Sequence, residues 1–323
     1  MQLRFIIMRK CFLNPGRRLW LTAGSIVLLV GVTLRAEATA QTTIKSESQS
    51  ITLGLVSEVD KAAIENHFRE LVNYVARKLS PASTVNGKVV VASSQLDLVK
   101  LLQQRQVDFY LESVYPTYTI NYVHGAGKTL LRRWKGGQAE YQSLIFAKRD
   151  SGIRRLDDLR GKTIVFEDPG STSGFLSPKF LLQRNGLKLT ELRPSDANSS
   201  AEVEQYFFAH SQNKLLDAVF SNQAAAGAFS DDDLANLSET NKSQITVLAQ
   251  TDRLPRHLVS IRSDLPPAVI SRLEAVLLAM HEDDEGRRIL ANTDQTAKFD
   301  RLPGGEEALR KRLLDSFFAP ERR

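Results

Sequence analysis

Short apolar stretches alternate with helical stretches twice over in this chain of 323 residues, and that rhythm leaves few folds open. Ile51 to Val56 reads as a strand, and Val59 to Leu79 as a helix carrying Ile64, Phe68, Leu71, Val75 and Leu79 on one stripe. Val89 to Ala92 is a second strand, Leu96 to Gln104 a second helix and Val107 to Leu111 a third strand; a helical piece, Tyr118 to Val123, and a strand, Tyr141 to Lys148, follow. The rhythm then begins afresh, with a helix at Leu156 to Arg160, a strand at Lys162 to Glu167 and a helix at Phe175 to Asn185 stopped by Gly186. Beyond it the pattern predicts a helix at Glu202 to Phe208, a strand at Leu216 to Phe220 ending in Ser221-Asn222, a helix start at Gln223 to Phe229 and a strand at Ile245 to Ala249. A linker at Thr251 to Arg256, a strand at His257 to Arg262 and amphipathic helices from Pro266 close the chain. Alternation of this kind belongs to βαβ units, with mostly parallel sheets and right-handed crossovers. The expected fold class is therefore α/β, with two Rossmann-like lobes joined by a two-segment hinge. The first lobe is expected at 41–150 plus 252–323, and the second, at 151–251, is inserted into it. That arrangement needs crossings near Lys148 to Ile153 and near Gln250 to Pro255, and it places a ligand between the lobes.

In such sheets ligands sit off the carboxyl ends of strands. The third strand ends at Glu112, Ser113 and Tyr115, a carboxylate, a hydroxyl and a phenol at one rim. In the second unit Ser171, Thr172 and Ser173 fall between Gly170 and Gly174, where a strand hands over to a helix. The first turn of a helix has N–H groups without intrahelical partners and a partial positive charge, so hydroxyls there suit an oxyanion. The plain alternative is an N-cap with a turn, for which Ser, Thr and Gly are the ordinary residues. Tyr115 reads equally as a ligand wall or a core aromatic, Glu112 as a ligand contact or an arginine partner, and Tyr141 as packing or binding. Asp231-Asp232-Asp233 reads as a solvated loop or helix cap, because the spacing and glycine of a calcium loop are missing.

The first forty residues are of another kind. Arg4, Arg9, Lys10, Arg17 and Arg18 precede an apolar run from Leu19 to Leu34, and Ala38-Thr39-Ala40 supplies small residues for cleavage. This is the layout of a secretory signal peptide at 1–40, cut after Ala40. The competing reading is a retained anchor, for which the run falls short of the roughly twenty residues a bilayer needs. Those forty residues hold Arg35 as well, against the single acid Glu37, so the net charge of +6 is largely the charge of the signal. The mature chain is close to neutral and gives no case for nucleic acid as a partner. Cys11, the only cysteine, also lies in the signal. An exported, cysteine-free, soluble protein of the periplasm follows, without disulfides or thiolate zinc sites.

Catalytic patterns fail one by one. Gly170 to Gly174 has the outline of a nucleophile elbow, but Thr172 stands at its centre. The five histidines fall in no catalytic or zinc pattern. Gly127-Lys128-Thr129 lacks the earlier glycine of a phosphate loop, where Tyr122 stands, and dinucleotide glycine spacing is absent after the first strand. No cofactor and no metal are expected.

The run Leu156 to Pro178, with Asp168-Pro169-Gly170-Ser171-Thr172-Ser173-Gly174 at its centre, resembles the solute-binding proteins of phosphate, phosphite and phosphonate ABC importers. Val107 to Pro116 and Tyr141 to Ala147 resemble the same family's first lobe and hinge-side strand, and the resemblance covers most of 50–300. It implies the type II periplasmic-binding fold without catalysis, a small oxyanion held by Ser171, Thr172 and Ser173, an inner-membrane permease as partner, and a monomer. It carries Tyr115 over as a pocket residue, while Ser113-Val114 replaces the family's Gly-Pro. A Ser-His pair of the family is met by Ser199-Ser200-Ala201, and an acid after an Asp-Ala strand by Asn222, so Asn222 joins Glu112 and Ser113 as an expected pocket residue. Asn can donate or accept where an acid favours a ligand that donates a proton. Alternatives are a receptor for sulfonate or another anion, a binding protein coupled to a sensor, and, from another class, an exported hydrolase.

Overall fold

Fourteen strands and their helices are described in a computed structural model that covers residues 50–57, 60–79, 86–192 and 203–318. The signal peptide, Cys11 and Ser199 to Ala201 lie outside the described residues. In chain order the strands are β1 (Ile51–Val56), β2 (Gly87–Ala92), β3 (Phe109–Glu112), β4 (Gly127–Arg133), β5 (Glu140–Tyr141), β6 (Ser143–Lys148), β7 (Thr163–Phe166), β8 (Leu189–Glu191), β9 (Glu204–Phe208), β10 (Ala226–Ser230), β11 (Ile245–Gln250), β12 (Leu254–Pro255), β13 (His257–Arg262) and β14 (Phe299–Asp300). They form one sheet in the order β14-β4-β13-β3-β1-β2, a second in the order β11-β6-β10-β7-β9-β8, and a two-stranded ribbon of β5 and β12.

Both sheets are mixed, where mostly parallel ones were expected. β1 runs parallel to β2 and β3, but β13 is antiparallel to β3 and β4. β7 runs parallel to β9 and β10, but β6 is antiparallel to β10 and β11. The strands that run against the rest of their sheet are β6 and β13, each directly after a passage between the sheets, and β14 at a sheet's edge. The chain passes from the first sheet to the second through β5 and returns through β12, and these two pair with Tyr141 opposite Leu254. The first passage is thus not at Lys148 to Ile153: β6, an unbroken apolar strand, pairs on both sides within the second sheet.

Three further expectations are corrected. Glu204–Phe208 is a strand, because Glu204 and Tyr206 alternate inward and three aromatics crowd a five-residue span. Leu216 to Phe220 belongs to a helix, Gln212–Phe220, capped by Ser211 Oγ, which accepts from the Lys214 amide at 3.3 Å. Gln223 to Phe229 is no helix; it leads into β10, whose Ala-Gly-Ala-Phe-Ser is buried on both faces and so shows no alternation.

Apolar side chains cover both faces of each sheet. Leu53, Leu71, Val75, Phe109, Val259 and Leu273 belong to one cluster, on the face where the helix Lys61–Leu79 packs. A separate cluster joins Val114, Tyr141, Leu258 and Phe317, tying a rim of the first sheet, the ribbon and the C-terminal helix Gly305–Phe318 together. The carboxyl ends of β3 and β7 are thereby held facing each other.

Candidate functional site

β7 ends at Phe166, and the next turn is fixed by its own side chains. Asp168 Oδ1 accepts from the Gly170 amide at 2.7 Å, and the Glu167 amide donates to the Gly174 carbonyl at 3.1 Å. Ser171 is the N-cap: its Oγ accepts from the Gly174 amide at 2.9 Å and donates to Glu167 Oε2 at 3.1 Å. A π-helical turn, Thr172–Leu176, then runs straight into the helix Ser177–Arg184. Helix geometry leaves the Thr172 and Ser173 N–H groups without intrahelical partners.

β3 builds a matching start opposite. Ser113 precedes the helix Val114–Tyr118, which continues as the turn Thr119–Val123. Thr172 Oγ1 lies 3.0 Å from Ser113 Oγ and accepts from the Tyr115 amide at 2.9 Å. Two helix starts therefore converge on one hydroxyl. Their dipoles put partial positive charge head to head, an arrangement that an anion between them relieves. Gln95 Nε2 comes close to Gly170, so the rims also meet beyond Thr172.

Around this point the floor is polar and buried. Ser143 Oγ donates to the Ser173 carbonyl at 2.7 Å. Tyr141 is buried, which raises its phenol's pKa, while Arg256 and the Thr172 and Ser173 hydroxyls pull it the other way. Arg256 lies over the Tyr141 ring, 4.6 Å from its centre, and its Nε donates to Asp232 Oδ2 at 2.5 Å. Burial raises the Glu167 carboxyl, Asp233 and Asp168 raise it further, and Ser171 and Arg256 oppose them. Burial pushes Glu112 up to about 7, against a hydrogen bond from the Ser113 amide and the charge of Lys135, with Asp168 adding to the rise.

Gly174 closes the turn for a steric reason. A Cβ there would stand 2.6 Å from Glu167 Oε2, 2.7 Å from Glu167 Cβ and 2.9 Å from Ser171 Oγ. Gly174→Ala must displace the cap or the carboxylate, at a cost of about 1–3 kcal/mol. Roughly a tenfold or greater loss of anion affinity is expected by calorimetry, with the thermal unfolding transition kept.

Six of the seven expected pocket residues, Glu112, Ser113, Tyr115, Ser171, Thr172 and Ser173, stand together at these facing rims. Asn222 does not. It follows the helix Gln212–Phe220 with φ +63°, at the end of the second sheet where β7 begins, beside Lys162, Thr163 and Lys148. Because the expected strand there is a helix, the strand end beside β7 is that of β10, with Ser230 and the three aspartates after it.

A model of the family described as the periplasmic substrate-binding protein of phosphonate ABC transporters matches residues 53–302. The chain belongs to that family. The phosphate-import protein PhnD of Mycolicibacterium smegmatis is 25% identical over 261 residues, covering 79% of each chain. XAC2383 from Xanthomonas citri, solved with chloride, is 26% identical with a TM-score of 0.76, covering 84% of this chain and 96% of that one. PhnD1 from Prochlorococcus marinus in complex with methylphosphonate is 14% identical with a TM-score of 0.60, covering 83% and 99%. The fold is thus the type II periplasmic-binding fold, two α/β lobes joined by two segments, and the family is one of transport proteins.

Two further groups stand at the strand ends beside this turn, one a histidine and one a run of acids. β9 is followed by Ala209-His210-Ser211, with His210 Nδ1 3.6 Å from Asp168 Oδ2. β10 ends at Ser230, which shares a reciprocal capping box with Asp233, while Arg253 and Arg256 pair with Asp231 and Asp232. The aspartate run is therefore a cap, as one of its two readings had it, but Asp232 is buried and paired where solvation was the other. Arg256, Glu167, Gln95 and His210 escaped the sequence reading. Only His210 had a legible signal, once β9 is taken as a strand.

Proposed function

We propose that this family member captures a small phosphorus oxyanion, a phosphonate, phosphite or phosphate, between its two lobes and delivers it to the permease of an ABC importer. The observation that carries the reading is the convergence of two helix starts, one from each sheet, on Thr172 Oγ1. Ser171, Thr172 and Ser173 hold the anion from the second lobe, and Ser113, Tyr115 and Glu112 face it from the first. Closing the lobes removes water and strengthens each charge–dipole contact. A phosphate-import relative and a fold relative solved with methylphosphonate support this ligand class. The chain works in the periplasm as a monomer after loss of 1–40, with lobe boundaries at the β5–β12 ribbon. It carries no catalysis. Among the described residues no helix is long and apolar enough to cross a membrane.

Titration calorimetry with methylphosphonate, phosphite, phosphate, sulfate and methanesulfonate tests the reading. Saturable one-to-one binding of at least one phosphorus oxyanion, stronger than that of either sulfur anion, is expected. Preference for a sulfonate overturns the ligand class, and product accumulating beyond one equivalent per protein overturns the binding role.

A further inference from the structure

We infer that the cleft takes up its oxyanion together with one proton, which is shared between the ligand and the Glu112 carboxyl. The inference rests on the function proposed above and names the residue that ties affinity to pH.

Geometry places Glu112 at the grip. It is the last residue of β3 and immediately precedes Ser113, whose Oγ lies 3.0 Å from Thr172 Oγ1. Glu112 Oε2 accepts from the Ser113 amide at 3.1 Å, so the carboxylate and an anion at Thr172 draw on the same helix start. No ion pair joins Glu112 among the described residues. The groups around it are few. Tyr110, on its own strand, is fully buried and stays a neutral phenol. Lys135, from the loop after β4, lies 3.6 Å from Asp294 and is shared with that carboxylate. Asp168, from the opposite lobe, is a like charge. His257 neighbours Leu258, the β13 partner of Glu112, and is held neutral by burial and by Arg133, Lys135 and Arg256.

A carboxyl so placed titrates near neutrality, at about 7, already far above its ordinary range. An oxyanion at Thr172 adds a second like charge within the same closed space, and two such groups do not both stay fully ionised. The proton comes from the buffer. With Glu112 protonated, its O–H donates to a ligand oxygen; with the ligand protonated, its P–OH donates to the carboxylate. Either way one proton enters with the ligand, and no other bond is made or broken. Affinity is then greatest below about pH 7 and falls as pH rises through the free carboxyl's value, because the proton must be drawn from an ever poorer supply.

The test is calorimetry of methylphosphonate binding at about pH 8 in buffers of different ionisation enthalpy, with the wild-type protein and Glu112→Gln. The ligand's own titration is common to both and cancels in the difference. Wild type is expected to take up close to one proton more than the variant, and its affinity to fall up to about tenfold more per pH unit above neutrality. Equal uptake with parallel pH profiles overturns the role of Glu112 and leaves the function standing; no binding by the wild type at any pH overturns the function itself. Should the variant not fold, a carbon-13 carboxyl titration of Glu112 in the wild type decides. A midpoint near neutrality that rises on saturation supports the inference, and one in the ordinary carboxylate range, unmoved by ligand, overturns it.

Discussion

Thr172→Val is expected to weaken oxyanion binding by about two orders of magnitude while leaving the fold intact. Valine keeps the shape of threonine and removes the one hydroxyl on which both helix starts converge. In the closed state Ser113 Oγ and the Tyr115 amide then lose their shared partner at a position only 2% exposed. An unsatisfied buried polar group costs about 1–3 kcal/mol. Two of them, set against the anion's gain on closure, amount to about a hundredfold in affinity. The cap of the second helix is untouched, since Ser171 supplies it, so unfolding is expected to stay near the wild-type temperature. Thr172→Ser restores the hydroxyl and should recover most of the loss. Calorimetry on the pair checks this, and valine binding within threefold of wild type removes Thr172 from the site.

The grip was legible because its signal is local. Three hydroxyls between two glycines at a strand-to-helix junction announce either a cap or an anion site; Ser171 is the cap, and Thr172 faces the other lobe, where the proposed anion would sit. Glu112, Ser113 and Tyr115 were legible for the same reason, as the polar end of an apolar strand. Asn222 failed because helix and strand were exchanged around it. Buried strands such as Ala226–Ser230 carry no alternation, and the short Gln212–Phe220 has apolar residues that suit either period. What no local pattern could supply was pairing across the fold. Arg256 reads as a linker residue until the structure sets it over Tyr141 and against Asp232. The near-neutral titration of Glu112 likewise comes from its burial in the fold, with Lys135 opposing the rise and Asp168 adding to it, both near it only in space.

Lys135 shares Asp294 with a neighbour whose removal should cost the most stability. Arg133 ends β4 with 0% exposure; its Nε donates to Thr296 Oγ1 at 2.9 Å, and its Nη2 to the Thr293 carbonyl and Asp294 Oδ2 at 2.9 and 3.0 Å. Arg133→Met fills much of the volume but leaves Asp294 and the Thr293 carbonyl short of a donor. Breaking a buried pair in this way is expected to cost about 3–5 kcal/mol in denaturant unfolding at neutral pH. The pH dependence identifies the source. Burial alone would raise the Asp294 carboxyl, but Lys135, Arg133 and a hydrogen bond from His67 outweigh it and hold the value at about 2. A depressed folded-state value contributes stability that is complete above the unfolded value near 4 and is lost as pH falls towards 2. The gap between wild type and Arg133→Met should therefore narrow over that interval, since protonating Asp294 removes what the arginine was there to balance. A gap of constant size would place the cost in the Thr293 and Thr296 contacts. A narrowing gap would place the cost in the charge of Asp294, the carboxylate that Arg133 shares with Lys135, whose own charge opposes the rise of Glu112 at the proposed ligand's edge.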